Sequence, residues 1–560
     1  LYGRPLVSAE SFVWINRDYT TTARKVKAAA DKLLLAGVNH IVYHGTPYPW
    51  KGGEPSPFGA EGWMPFSGPE NPAHFSSHVS PGNTSLWPDI AALNTYIARG
   101  QNLLRQGAPD IDVLIYYPFL GFHGANPSND AAEALLNGSL PDADPTSTPR
   151  EDPILTQGRR QLDRVLRVPV EQADPRQRWV QRLLPLLREL DRRGITWAWV
   201  NGHALRTGKL KHGELTASGG RYQLLLLPNV DSIEADALLA LREQVAAGVP
   251  VLLAGSRPST QPGFFNAEQG DAEVRQRVDE LIASGAKAVA FDNSLGERLR
   301  EQLHQPLRYL RASAIKSYHR RLPGGGAVYF FANQSARNDT VELQTQLLQP
   351  LWWFDATTGA GWPLQNGEPV RLALSGFESR FLIAGVPMPT SLQAREGDGA
   401  AFAAAARRWT LPRWDFSLGD THEKSVGLFD WRERPALAYA RGPGVYQSNF
   451  DLEKKRDDAR YLLNLGLVQG SAAVSINGKE AGRASFPPFI IDISDLLHTG
   501  HNAVEIQVLA PLRNDFVGRA LAGDERYSHM RVYADQQVAA GLMGPVAIAE
   551  VVKKASDPGH

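Results

Sequence analysis

The chain contains no cysteine. This excludes disulfides and thiol catalysis, and it removes the thiolate ligands of a structural zinc site. It fits cytoplasm and periplasm equally. Net charge is absent too, because Lys+Arg and Asp+Glu both number 59. Nucleic acids and anionic membrane surfaces reward a basic excess, so neither is expected as a partner. No apolar run approaches the ~18–20 residues that span a bilayer. There is no His-Glu-x-x-His and no Walker-type glycine loop, so metalloprotease and P-loop nucleotide chemistry find no support. No EF-hand spacing occurs. Also missing are an initiating methionine and a signal peptide. The chain opens on Leu1-Tyr-Gly-Arg4 and enters an apolar strand almost at once. An N-terminal segment is therefore expected to precede Leu1 in the native protein.

What is present is an ordinary globular mixture, 43% hydrophobic and 21% charged, over 560 residues. That length is too great for one core and predicts roughly three or four domains. Aromatic residues are plentiful, with 13 Trp, 16 Tyr and 21 Phe. They serve sugar stacking and β-sandwich cores alike.

The hydrophobic pattern divides the chain. Residues Pro5–Ala9 read as a short buried strand ending at Glu10. A helix from Thr20 to Ala36 follows, with Val26, Ala29, Ala30, Leu33 and Leu34 at helical spacing and Gly37 at the C-cap position. A second strand runs from Val38 to His44. Strand, helix and strand with short connections predict a parallel sheet or barrel. A long Pro-, Gly- and aromatic-rich stretch, Gly45 to Trp87, then reads as an ordered, site-building loop. The helix Trp87–Gln106 and strand Asp112–Tyr117 come next, then an acidic loop over 118–152. Helix 176–193, strand Thr196–Val200, strand Tyr222–Pro228, helix 234–247 and strand Pro250–Ala254 complete an α/β run. From about residue 305 the period becomes that of strands, including Ala327–Ala332, Leu351–Phe354 and Arg380–Ile383. Residues 387–408 read as a linker. The last module, about 409–553, is also all β, and Asn477-Gly478 marks a type I′ hairpin turn.

Two groups of motifs carry a resemblance. The last module runs Leu465-Gly-Leu-Val468, Ala473-Val-Ser-Ile-Asn-Gly478, Phe486-Pro-Pro-Phe489, Gly500-His-Asn502, Arg513-Asn514 and Gly541-Leu-Met-Gly-Pro545. It resembles the galactose-binding-like jelly roll that ends several sugar-cleaving families, notably families 2 and 106. Earlier come Ser8-Ala-Glu10, Leu35 through Pro47, Leu103-Leu-Arg-Gln-Gly107, Trp199-Val-Asn-Gly-His-Ala-Leu205, Ser317-Tyr-His-Arg320 and Tyr329-Phe-Phe-Ala-Asn333. In that order they resemble glycoside hydrolase family 106, the α-L-rhamnosidases, over nearly the whole chain. The implied fold class is multidomain α/β plus all-β. It comprises the C-terminal part of a (β/α)8-type barrel (1–205), a flavodoxin-like α/β segment (206–304), a β-sandwich (305–390) and a jelly roll (409–553). In this family the region matching residue 1 follows the first barrel strands, which again implies a preceding segment. A periplasmic or secreted bacterial enzyme is implied, acting on a carbohydrate and removing terminal α-L-rhamnose from a polysaccharide or glycoside. A β-galactosidase-like or uronic-acid-directed glycosidase and an inactive carbohydrate-binding protein are the alternatives.

Glycosidic bonds are usually cut by two carboxyl groups, one protonating the leaving oxygen and one activating water or attacking the sugar. Glu10 ends a barrel-type strand, where catalytic side chains collect, and a structural ion pair is its other reading. It matches the family's proposed general acid. Relatives often carry a Glu after the strand matching Asp112–Tyr117, but here Pro118-Phe-Leu-Gly-Phe-His123 offers no acid. Asp130 and Glu133 are candidate bases; they also suit the first turn of a short helix. His44, Tyr48, His78, Trp87, Tyr117, Trp199, Asn201 and His203 are candidate substrate-binding residues, with Asn83 beside them. Family members need calcium, so Ca2+ is an expected cofactor, without assigned ligands.

Overall fold

The computed structural model describes residues 2–14, 19–46, 79, 85–119, 175–364 and 369–552. The first unit is a parallel pair of strands, β1 (Ser8–Ser11) and β2 (His40–Tyr43), joined through helix α1 (Ala23–Leu35). Glu10 lies opposite Val42 in this pair. Thr22 caps α1 by accepting the Lys25 amide at 3.2 Å, and the helix ends at Gly37, whose φ of 82° suits glycine. Val26, Ala30 and Leu34 form its buried stripe. A 3-10 turn (Trp87–Asp89) leads into α2 (Ile90–Leu104). Among the described residues β1 and β2 are the strands of the barrel-type piece, and no closed barrel is present.

A doubly wound sheet follows. Its strands are β3 (Ala108–Tyr116), β4 (Trp197–Val200), β5 (Gly220–Pro228), β6 (Val251–Ala254) and β7 (Lys287–Val289). All pair in parallel, in the spatial order β4-β3-β5-β6-β7. That is the 2-1-3-4-5 order of flavodoxin-like folds. Helices α3 (Pro175–Arg192), α4 (Gly202–Arg206), α5 (Ala235–Ala246), α6 (Ala267–Ala283) and α7 (Leu295–Gln302) cover both faces. Val113, Ile115, Leu224 and Leu226 meet α3 and α7 on one face. Leu114, Leu225 and Leu227 meet α5 and α6 on the other. This explains the unbroken apolar run in β5, since a parallel strand buried on both faces has no polar side. The flavodoxin-like unit thus begins at β3. The boundary expected at residue 206 is displaced, because β3 hydrogen-bonds to β4 on one side and to β5 on the other, and neither β3 nor β4 pairs with β1 or β2. Strand–helix–strand patterns look alike in barrels and doubly wound sheets; only pairing separates them.

The β-sandwich packs the sheet β8 (Leu307–Tyr309), β11 (Asp339–Thr345) and β14 (Val370–Leu374) against a larger one. The larger sheet contains β9 (Ile315–Arg321), β10 (Ala327–Asn333), β12 (Leu351–Asp355), β13 (Ala360–Pro363) and β15 (Ser379–Ala384). Every residue of β10 is buried. Its Tyr329 and Phe331 face the sandwich core, whereas Val328, Phe330 and Ala332 pack on α1 and α2. Gly324 and Gly325, with φ of 74° and 86°, make the β9–β10 turn.

The expected linker contains helix α8 (Asp398–Ala404), tied down by Arg395 and Arg460 on Asp398. The jelly roll pairs β16 (Arg407–Thr410), β20 (Ala459–Asn464), β23 (Ile490–Asp492) and β25 (Ala547–Val552) in one sheet. The other sheet holds β17 (Trp414–Leu418), β18 (Thr421–Val426), β19 (Gly444–Leu452), β21 (Ser471–Ile476), β22 (Lys479–Ala484) and β24 (Gly500–Leu509). Trp414, Trp431, Tyr446 and Tyr461 fill the space between them. Asn477 and Gly478 both have positive φ, 53° and 76°, as the hairpin requires. A helical insertion, α9 (Arg513–Leu521) followed by a 3-10 segment (Glu525–Tyr533), precedes the final strands.

Candidate active site

Glu10 and His44 stand at the carboxyl ends of neighbouring parallel strands. The His44 Nε2 lies 3.9 Å from Glu10 Oε1. The His44 amide also donates to the Ser11 carbonyl at 2.9 Å, which extends the strand pairing to this histidine. The described residues leave the Glu10 side chain 66% exposed and that of His44 41% exposed.

The chain leaves β1 through an unusual conformation. Phe12 has φ of 73°, a left-handed backbone that side-chain-bearing residues seldom adopt and that clusters at functional sites. Phe12 is buried, with its ring 4.9 Å from Tyr43 and 6.4 Å from Trp14. The Lys25 ammonium sits 3.9 Å from the Trp14 ring centre, a cation–π contact. Burial pushes the Tyr43 hydroxyl well above the usual tyrosine range, so it stays a neutral phenol. The strand ends therefore combine an exposed carboxyl, an imidazole and an aromatic group. Sequence inspection missed Phe12, Trp14 and Tyr43 because their convergence depends on backbone geometry at Phe12.

The other predicted residues divide. Trp87 is 37% exposed on the turn that enters α2. Asp89 in that turn is fully buried and accepts Arg483 Nε and Ser485 Oγ, each at 3.0 Å. Tyr117 and Trp199 belong to the doubly wound sheet, where both pack around Trp179 with ring separations of 5.7 and 6.0 Å. Asn201 caps α4, accepting the Ala204 amide at 2.9 Å. His203 stacks on Tyr2 at 6.3 Å, on the side where the chain enters β1, whereas Glu10 is where it leaves. These four residues thus have structural contacts of their own, on a sheet other than that of β1 and β2. Tyr48, His78, Asn83, Asp130 and Glu133 lie outside the described residues. Among the described residues no three His, Asp or Glu side chains are grouped to hold a metal.

No family model matches the chain. A Formosa agariphila protein named "Putative beta-glucuronidase" is 24% identical over 361 residues, covering 63% of this chain and 24% of that protein. The solved rhamnosidase from Novosphingobium sp. PP1Y shares the fold. It matches 98% of this chain and 48% of that one with a TM-score of 0.61 at 21% identity. The chain thus spans about half the length of the solved structure it matches and about a quarter of the curated relative. The shared fold extends through the strand pair, doubly wound sheet, sandwich and jelly roll.

Proposed function

We propose that this chain belongs to a glycoside hydrolase, with Glu10 as its general acid. The observation that carries the reading is the pairing of Glu10 and His44 at the carboxyl ends of adjacent parallel strands, within a fold shared with a rhamnosidase. Such strand ends are where barrel enzymes assemble their catalytic groups. In this reading the Glu10 carboxyl gives its proton to the glycosidic oxygen as the bond to the anomeric carbon breaks. A second carboxylate takes a proton from the water that adds to that carbon. The His44 imidazole, with Nε2 3.9 Å from Glu10 Oε1, stands beside the carboxylate that Glu10 becomes. Asp130 and Glu133 are the candidates for the second carboxylate.

The proposed substrate is a terminal α-L-rhamnoside of a polysaccharide or smaller glycoside, and the proposed location is the periplasm or outside the cell. A second reading, a β-glucuronide substrate, is favoured by the similarity to the Formosa agariphila protein. Turnover of aryl α-L-rhamnoside and aryl β-D-glucuronide by the native full-length enzyme separates them. Cleavage of the rhamnoside alone supports the first reading, and cleavage of the glucuronide alone supports the second. Sugar binding without turnover of any aryl glycoside overturns both and makes the protein a binding module.

A further inference from the structure

The jelly roll touches the strand pair on the side where Glu10 and His44 stand. Tyr19, in the connection from β1 to α1, is buried among Leu512, Phe516, Val517, Tyr527 and Met530. Its ring meets Phe516 edge-on at 4.6 Å, and its carbonyl accepts the Arg513 amide at 3.2 Å. Arg24, in the first turn of α1, donates to Gln469 at 3.0 Å. Asp89, where α2 begins, is held by Arg483 and Ser485. Phe486 then reaches into the core of the first unit, 5.7 Å from Tyr96.

The direction of these contacts is informative. In a strand–helix unit, the connection after a strand and the first turn of the next helix lie on the strand's carboxyl side. Tyr19, Arg24 and Asp89 all have that position. The opposite ends, at Gly37 and Gly107, lie instead against Tyr318 and Arg321 of the sandwich. The sandwich therefore covers these back ends, besides meeting Arg24 through Phe377 at the start of α1, and the jelly roll borders the mouth.

We propose that the jelly roll is a working part of the active site and that Tyr19 and Asp89 are positioning residues. Tyr19 anchors the segment that carries Phe12 and Trp14 away from Glu10. Asp89 anchors the turn that carries Trp87. A side chain clasped by a second module fixes its loop more firmly than local contacts do, and displacement by about 1 Å costs up to about a hundredfold in rate. The inference rests on the reading of the β1–β2 strand ends as the active site.

The test uses the full chain and three variants, Tyr19→Ala, Tyr19→Phe and Arg483→Met. Hydrogen exchange is followed in peptides covering residues 8–22 and 85–91, with kcat and KM on whichever aryl glycoside the wild type cleaves. Tyr19→Ala is expected to speed exchange in 8–22 and to lower kcat about tenfold to a hundredfold, and Tyr19→Phe to restore both. Arg483→Met is expected to speed exchange in 85–91 and to raise KM, because Trp87 loses its fixed place. Folded variants with wild-type exchange overturn the proposal, as does faster exchange with unchanged kcat and KM. If the wild type cleaves no glycoside, the functional reading fails by itself, and the exchange measurements alone decide whether the jelly roll orders these two segments.

Discussion

The Lys27 ammonium lies 2.7 Å from the Asp31 carboxylate one helical turn away, and neither side chain has any exposed surface. Lys27 also donates to Ser379 Oγ at 2.9 Å, and Tyr96 donates to the other Asp31 oxygen. The pair joins α1, α2 and β15 at the junction of the first unit with the sandwich. Burial pushes the Asp31 carboxyl above the usual carboxylate range, and Lys27 offsets this only in part. A buried pair of this kind adds little net stability, but breaking it is costly. Lys27→Met is therefore expected to destabilise the protein by about 3–5 kcal/mol. The double variant Lys27→Met/Asp31→Leu should recover much of that loss. Urea unfolding of the singles and the double, read as a double-mutant cycle, checks this; a double variant as unstable as the sum of the singles would refute it.

Asp112 is the second buried carboxylate that holds units together. It accepts from the Thr196 amide at 2.8 Å, Thr196 Oγ1 at 3.0 Å, Gln305 Nε2 at 3.0 Å and Gln223 Nε2 at 2.9 Å. All four partners donate, so an amide in its place turns its own N–H groups toward donors. Asp112→Asn is expected to cost about 2–3 kcal/mol despite removing a buried charge. A thermal or urea midpoint equal to wild type would show that desolvation of the charge outweighs the hydrogen bonds.

Asp492 gives a pH signature. Burial pushes its carboxyl up, but the Ser494 hydroxyl and amide and the Arg460 guanidinium outweigh that and hold it below the usual carboxylate range. A depressed folded pKa contributes stability above the unfolded value of 3.8, and that contribution is lost as pH falls through the folded value. Asp492→Asn should therefore be less stable than wild type near neutral pH, with the gap closing as the pH drops below 3.8. Denaturation midpoints across that range check the sign, and a gap that widens in acid would contradict it.

Glu10→Gln tests the acid role by leaving group. Loss of a general acid costs about a hundredfold to ten-thousandfold when the departing oxygen needs a proton. A dinitrophenyl glycoside, whose leaving group needs none, should be affected far less. Equal losses on both substrates would remove Glu10 from the acid role.

The sequence alone determined the element types. The stripe Val26, Ala30, Leu34 predicts α1, the leucine run of β5 predicts a strand buried on both faces, and Asn477-Gly478 predicts its hairpin. Each of these rests on local periodicity or local backbone preference. The strand-end position of Glu10 was legible in the same way. The sheet each strand joined was decided only by the tertiary structure. β3 and β4 carry the pattern of barrel strands but join the sheet of β5, β3 directly and β4 through β3, which takes Tyr117, Trp199, Asn201 and His203 away from the sheet of Glu10. Nor could spacing show that Tyr19 would be buried under Phe516, almost five hundred residues later, or that Asp89 would meet Arg483. Hydrogen-bond pairing between strands and packing between modules depend on contacts distant in sequence. Local pattern fixes what each segment becomes, and those distant contacts fix which side chains share the site.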